Sequence, residues 1–401
     1  MSDKTIMLLS VGTRGDVQPL IALGKGLKAA GFHPVLAAEA RFAAQAQQHD
    51  IDHCPITARM MEITGTAAGA QIIAGGSSKL ALMKQVVPMM KQIMPMLREM
   101  LDSIAAAAHQ IQPQAIVFHP KSMAGASLSE KFNMPAFIGF GIPALTPTSE
   151  FPNVLFTTKS LGPFNRATYS LFNIASIAPY RRMINTWRRE KLGLATSKAE
   201  FAPPAIPKLY HYSTHVAPRP ADWAANNIVT GFWFLDEAGA WQPPDDLQAF
   251  LDSGEPPVYI GFGSMPAEDA EAKTRIVMDA VQKSGRRAVI AAGWGGLKAT
   301  SGGNIFAIDA APHDWLFPRM SAVVHHGGAG TTAAGLRAGK PTLICPFFGD
   351  QPYWGERVRA LGAGPAPLPQ KKLNADDLAR AITEATTNTA MRDKADAIGA
   401  A

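Results

Sequence analysis

Two α/β halves in tandem, each a parallel sheet wrapped by helices, is the architecture this sequence predicts. Three observations carry it. Between residues 5 and 38 an apolar run, a turn, a helical apolar period and a second apolar run follow one another. The same rhythm restarts after a proline-rich stretch, with apolar runs at 257–262, 288–292 and 304–308. Residues 321–351 then read SAVVHHGGAGTTAAGLRAGKPTLICPFFGDQ, a strand, a glycine turn, a helix and another strand. Strands buried on both faces read as uninterrupted apolar runs, and a strand–helix–strand repeat joins parallel neighbours by a right-handed crossover.

Taken in order, 5–11 is the first strand and Gly12-Thr13-Arg14-Gly15-Asp16 its turn. Leu20, Ile21, Leu23 and Leu27 space a helix over 17–30, ended by Gly31; 34–38 is the second strand, ending at Glu39. Residues 114–118 and 135–140 are later strands of the same sheet. Before them, Met60, Met61, Met83, Met89, Met90, Met94, Met96 and Met100 crowd one section. They suit a helical core, and as a group they equally suit the adaptable wall of an apolar pocket. Over 151–191, aromatic residues interleave with Lys159, Arg166, Arg181, Arg182, Arg188, Arg189 and Lys191 against the single acid Glu190. Such a stretch fits an anionic membrane surface, or a solvated helix face.

Pro203, Pro204, Pro207, Pro218, Pro220 and Pro243-Pro244 mark a change of composition. They divide the chain into 1–215, a linker and entry at 216–244, and 245–401. In the second half, 274–283 is a helix, and loops at 263–266, 293–296 and 312–315 follow strands. A strand at 322–324, a helix opened by Thr331 and a strand at 342–345 complete it.

The bulk numbers bound the class. A chain of 401 residues is long for one core. With 47% hydrophobic and 17% charged residues it is globular. The net charge of +6 is modest and its basic residues form no reading motif, so no nucleic-acid partner is expected. Cys54 and Cys345 suggest neither a disulfide framework nor a metal site. Arg14 cuts short an N-terminal apolar run that would otherwise invite a signal-peptide reading, and no apolar window has spanning length. The expectation is a cytoplasmic protein, with contact through 159–191 placing it peripherally at a membrane.

The glycine turn carries the chemistry. Gly327, Gly328 and Gly330 let the backbone approach an anion, His326 adds a donor that helps neutralise a diphosphate, and Thr331 adds a hydroxyl at a helix start. A bare helix cap is the plainer alternative. Gly339-Lys340 precedes Pro341, so this is no Walker loop. A dinucleotide site on Gly12, Gly15 and Glu39 is the rival. Its spacing is G-x-x-G and Asp16 would face the pyrophosphate, so the fingerprint is incomplete.

The segment HHGGAGTTAAGLRAGKPTLICPFFGDQPYWGERV (325–358) resembles the nucleotide-sugar signature of family 1 glycosyltransferases. It is most similar to that of sterol 3-β-glucosyltransferases and natural-product glycosyltransferases. GTRGDVQP (12–19), GFGSM (261–265), AGWGGL (292–297) and PHDWLFPR (312–319) resemble further family motifs in the expected order. The resemblance implies a GT-B fold: two Rossmann-like domains with parallel sheets facing a central cleft. The acceptor would bind the N-terminal domain and the nucleotide sugar the C-terminal one, without a metal or other cofactor. It assigns His326, Gly328, Gly330 and Thr331 to the diphosphate, with Ser264 facing it. Asp350 and Gln351 match an acid–amide pair for sugar hydroxyls, which a carboxylate beside an amide can accept from and donate to; alone, the pair is a loop cap.

Asp16 is the candidate general base, or else the cap of its helix; an ordinary carboxyl pKa of roughly 3.9 is low for a base, and burial is expected to raise it. His119 is a second candidate, an orienting partner, or a structural histidine. Two departures stand out. Ala334 occupies the place of a ribose-binding glutamate of plant relatives, and Ala310 stands where the base-stacking tryptophan would be. Trp294, His313 or backbone near 311–313 must then serve the nucleoside. The sequence stops at Ala401, before the last helix that in relatives crosses back, so looser closure or a truncation is expected. Together these imply an inverting transferase moving a hexose, glucose from UDP-glucose, to a hydroxyl of a lipophilic acceptor such as a sterol, triterpenoid or polyketide. A thymidine-diphosphate deoxysugar transferase, a catalytically silent helper of the same fold and a dinucleotide-dependent oxidoreductase are the alternatives.

Overall fold

A computed structural model of the chain describes residues 4–59, 79–263, 270–292 and 297–401, and of 79–89 and 240 the backbone alone. Two compact units emerge. The first comprises Met1–Asn153, Lys159–Tyr212 and Arg219–Leu235; the second, Val154–Thr158, Ser213–Pro218 and Asp236–Ala401.

Among the described residues, unit 1 is built on seven parallel strands in the order β3-β2-β1-β4-β5-β6-β7. They are β1 (Lys4–Leu9), β2 (Phe32–Glu39), β3 (Asp52–Ile56), β4 (Ala115–Phe118), β5 (Ala136–Phe140), β6 (Lys208–Tyr210) and β7 (Asn227–Val229). Met7, Leu8 and Leu9 of β1 are fully buried, each contributing about 1.5–3 kcal/mol on leaving water. The helices are α1 (Arg14–Ala29), α2 (Ala43–Gln48), α3 (Lys79–Ile111), α4 (Gly125–Phe132), α5 (Asn165–Ile177) and α6 (Arg181–Trp187). Val17, Leu20 and Ile21 of α1 pack with Ile6, Leu8 and Leu36 of the sheet in one apolar cluster. Helix α1 starts at Arg14 rather than at 17, because Thr13 takes the N-cap position and draws Asp16 into the first turn. β7 falls inside 216–244, where the sequence suggests linker.

Met60 and Met61 lie outside the described residues, and of Met83 and Met89 only the backbone is described. On α3, Met100 is fully buried, whereas Met90, Met94 and Met96 are half-buried. Cys54 and Cys345 are buried free thiols.

Among the described residues, unit 2 has five parallel strands in the order β10-β9-β8-β11-β12: β8 (Val258–Gly261), β9 (Ala288–Ala291), β10 (Ile305–Ile308), β11 (Ala322–His325) and β12 (Thr342–Ile344). Around them lie α7 (Asp245–Asp252), α8 (Ala270–Ser284), α9 (His313–Leu316), α10 (Ala329–Arg337), α11 (Gln351–Ala360), α12 (Ala375–Thr387) and α13 (Thr389–Ala400). Val258, Ile260, Ala322, Val324 and Leu343 form the sheet side of a core closed by Leu378, Ala381 and Ile382 of α12.

Candidate active site

Each sheet reverses its strand order at one point, and a parallel sheet opens a binding crevice outside the carboxyl ends of the strands there. In unit 1 the reversal falls between β1 and β4, with Leu9 level with Phe118. The chain leaving β1 carries Asp16, and the chain leaving β4 carries His119 and Lys121. Residues far apart in sequence therefore meet.

Asp16 is held on both oxygens. Its Oδ2 accepts from the Thr13 amide at 2.8 Å and the Thr13 hydroxyl at 3.0 Å, so it does cap α1. Its Oδ1 accepts from Lys121 Nζ at 2.7 Å and lies 3.4 Å from His119 Nε2. His119 is buried, and its Nδ1 accepts from the Lys121 amide at 3.3 Å. That contact assigns the ring proton to Nε2, facing Asp16. The Asp16 side chain is 13% exposed and that of Lys121 41%, which leaves Lys121 the freer partner.

The expected rise of the Asp16 pKa is corrected. Burial does push it up, but the charges of Lys121 and His119 and hydrogen bonds from Lys121 and the Thr13 amide outweigh burial and hold it at about 2. Burial also lowers His119 to about 3 and His211, after the end of β6, to about 4, so both rings are neutral at pH 7. His211 stacks on Trp233 with centroids 4.7 Å apart.

The rival dinucleotide site is closed by the same carboxylate. Gly12 sits at φ +125°, and a Cβ there would lie 2.4 Å from Asp16 Oδ2, so the turn is filled by a side chain. Glu39 is paired with Arg41 at 2.6 Å, and Arg41 also donates to the Gly12 carbonyl at 2.6 Å.

In unit 2 the order reverses between β8 and β11, where His325 is level with Gly261. His325 is fully buried, and its Nδ1 accepts from the Gly327 amide at 2.9 Å, fixing the turn from within. Gly327 takes φ +97°, and a Cβ there would meet Ile344 Cγ2 at 2.5 Å and the backbone oxygen of Gln351 at 3.2 Å. The glycine turn is thus packed against the start of α11. His326 lies between Gly263 and Gly328: a Cβ on the first would stand 2.9 Å from Cε1, and one on the second 2.8 Å from Nε2. Desolvation lowers His326 to about 4, so the ring is neutral at pH 7.

Helix α10 opens at Ala329, with Gly328 as N-cap, and not at Thr331. Thr332 is the first residue to close its ladder, donating to the Gly328 carbonyl at 2.9 Å. Helical geometry therefore leaves the amides of Ala329, Gly330 and Thr331 without intrahelical acceptors, at the positive end of the dipole.

Asp350 Oδ2 accepts from Trp354 Nε1 at 2.7 Å. The side-chain Oε1 of Gln351 accepts from the backbone amides of Phe347 at 2.7 Å and Phe348 at 3.3 Å. The pair therefore folds its own loop, and Gln351 keeps its NH2 as the group with donors to spare. His313 begins α9 and stacks on Phe317 at 4.2 Å. Ser264 and Trp294 lie outside the described residues. Lys121 and His211 escape sequence reasoning, although Lys121 stands two places after His119 at a strand end. Among the described residues no group of histidine, cysteine and carboxylate side chains could hold a metal ion.

Two parallel α/β units, with a glycine turn opening a helix at the second reversal, define the class: a GT-B-fold chain. Residues 6–144 match the glycosyltransferase family 28 N-terminal domain, and residues 275–400 the erythromycin biosynthesis protein CIII-like C-terminal domain. The chain is 36% identical over 389 residues to a sterol 3-beta-glucosyltransferase of Arabidopsis thaliana, covering 94% of this chain and 60% of that protein. It is 37% identical over 413 residues to a sterol 3-beta-glucosyltransferase of Leptosphaeria maculans, covering 98% of this chain and 27% of that one. The chain thus spans about three fifths of the plant relative and about a quarter of the fungal one. Among solved structures, the glycotransferase of kitacinnamycin superposes with a TM-score of 0.72 at 17% identity, covering 100% of this chain and 95% of that one. VinC, solved with DTDP, gives 0.66 at 17%, covering 99% and 94%. These superpositions show the fold. The chain has the GT-B fold, its N-terminal part matches a glycosyltransferase domain family, and its sequence resembles the sterol 3-beta-glucosyltransferases.

Proposed function

We propose that the protein transfers a hexose, glucose from UDP-glucose, to a hydroxyl of a lipophilic acceptor such as a sterol, with inversion and no cofactor. The observation that carries this is the pair of unlike strand-order reversals, one bearing a buttressed carboxylate and the other a donor-rich glycine turn. The acceptor oxygen bonds to the anomeric carbon as the bond to the diphosphate oxygen breaks. Asp16 takes the acceptor proton. A carboxylate held near 2 is a weak base for a free alcohol, so it acts late, once the oxygen bears oxonium-like charge and sheds its proton readily. The departing diphosphate collects negative charge where the amides of 329–331 and the His326 ring offer donors set in advance. Thr331 adds its hydroxyl, Gly328 and Gly330 give room, and Ser264, Trp294 and His313 serve the nucleotide. Asp350 and the Gln351 amide face the sugar hydroxyls.

A thymidine-diphosphate donor is the second reading. It is favoured by Ala334, which removes a ribose contact from the signature, and by the DTDP bound to VinC. Among the described residues no helix is long and apolar enough to cross a membrane. A sterol-like acceptor resides in one, so we propose peripheral contact through 159–191.

The test is incubation of the purified chain with UDP-glucose or a thymidine-linked sugar and a panel of sterols, triterpenoids and polyketides. Products are read by mass spectrometry and anomeric configuration by NMR. A β-glucoside formed from the α-linked donor is expected; UDP binding with no transfer to any acceptor would overturn the proposal in favour of the silent helper.

A further inference from the structure

Helix α5 presents its apolar residues the wrong way round for a helix of a soluble unit. Asn165, Tyr169 and Ile177 are buried. On the opposite face Phe164, just before the helix, is 70% exposed, Leu171 59% and Ile174 57%. Spacings of seven and three place these side chains in one stripe along the helix. Exposed Ala167, Ala175 and Ala178 fill the same face, and Leu161, 45% exposed, extends it at the N-terminal end. An apolar face of this kind on water marks an interaction surface.

The charges around it select the partner. Arg181, Arg182, Arg189 and Lys191 are exposed on the segment that follows. The acid within that segment, Glu190, is taken by Arg98 at 2.7 Å. Arg166, on the flank of α5, is paired with Asp222 at 3.0 Å and stays out of the surface charge. Arg188 is buried against Glu130 at 2.7 Å and fixes α6 from inside. Cations beside an apolar helical stripe are complementary to anionic headgroups over acyl chains. The segment leaves the sheet from the carboxyl end of β5, the edge on which Asp16 and Lys121 follow β1 and β4.

Building on the reading of a membrane-borne acceptor, we infer that α5 is a membrane-docking helix. It lies in the plane of an anionic lipid surface, with Phe164, Leu171 and Ile174 in the acyl boundary and Arg181 and Arg182 on headgroups. Docking then needs neither acceptor nor donor.

The experiment is flotation of the full chain with phosphatidylcholine vesicles, with or without phosphatidylserine and free of sterol. The parent is expected to float with the anionic vesicles. A triple variant, Phe164→Ser, Leu171→Ser and Ile174→Ser, should lose about ten-fold or more in partitioning. Arg181→Ala and Arg182→Ala should each cost about five-fold, on anionic vesicles only. Circular dichroism checks that the variants fold, and all should keep the parent rate on a detergent-solubilised acceptor. That last measurement separates this inference from the glycosyl-transfer reading: a chain inert on every acceptor yet docking through α5 sinks only the latter. Equal flotation of parent and triple variant, or a stripe that instead drives concentration-dependent dimers without lipid binding, overturns the docking helix.

Discussion

The two strand-order reversals share a topology and differ in what they do with charge. In unit 1, Asp16 and Lys121 face each other at 2.7 Å, and two neutral histidines stand near. In unit 2 the corresponding loops hold glycine, a neutral His326 and helix amides. On the proposed reading the first moves a proton and the second receives an anion. The comparison teaches that a parallel sheet supplies only the location. The chemistry depends on whether side-chain charges or backbone dipoles fill it.

The largest break in this comparison should come from Asp16→Asn, which keeps an acceptor for the Thr13 amide but removes the base. Turnover should fall about 10²–10⁴-fold, with UDP affinity by calorimetry near that of the parent; parental turnover would move the base elsewhere. Next, His326→Ala removes one donor to a charged group, and UDP binding should weaken about ten- to a hundred-fold. Because burial holds this ring at about 4, His326→Ala should leave the pH dependence of UDP affinity between pH 6 and 8 as it is in the parent; a dependence that the variant loses would mean a ring that takes up a proton on binding. Gly327→Ala forces a side chain into φ +97° and against Ile344, and should cost about 1–3 kcal/mol in thermal unfolding. The subtlest effect is that of Lys121→Met. With its cation gone, burial dominates Asp16 and its pKa rises. Activity depending on ionised Asp16 is present above that pKa and lost as pH falls through it, so the acid limb of kcat/KM should move up. Lys121→Arg should restore it; a profile unmoved by Lys121→Met would make the lysine merely structural.

The glycine turn was legible because its parts are contiguous. Apolar 322–324, the glycines and the Pro341 stop announce strand, turn and helix without knowledge of the rest. The long buried strands were legible for the same reason. The Asp16–Lys121 pair was not, since its partners are 105 positions apart and meet through the β1–β4 register. The direction of the Asp16 shift followed that omission: without Lys121, burial is all that remains to argue from. Strands β6 and β7 are three residues each, beside prolines, too short for a periodic signal. The neutrality of His326 hides in the close approach of Gly263, a contact between the ends of β8 and β11. The stripe on α5 could be seen as apolar in the sequence, but which way it faced depends on the packing of Tyr169 and Ile177.

One carboxylate here serves two masters. The Asp16 oxygen that caps α1 and fills the Gly12 turn belongs to the side chain proposed to take the proton. Selection on folding alone would therefore preserve a side-chain acceptor, an acid or its amide, at this position. If the proposed transfer holds, a duplicated copy that lost it would drift first at Lys121, whose ammonium supports the carboxylate without holding up the helix. In a lineage of such proteins, the lysine would be lost before the acceptor at position 16.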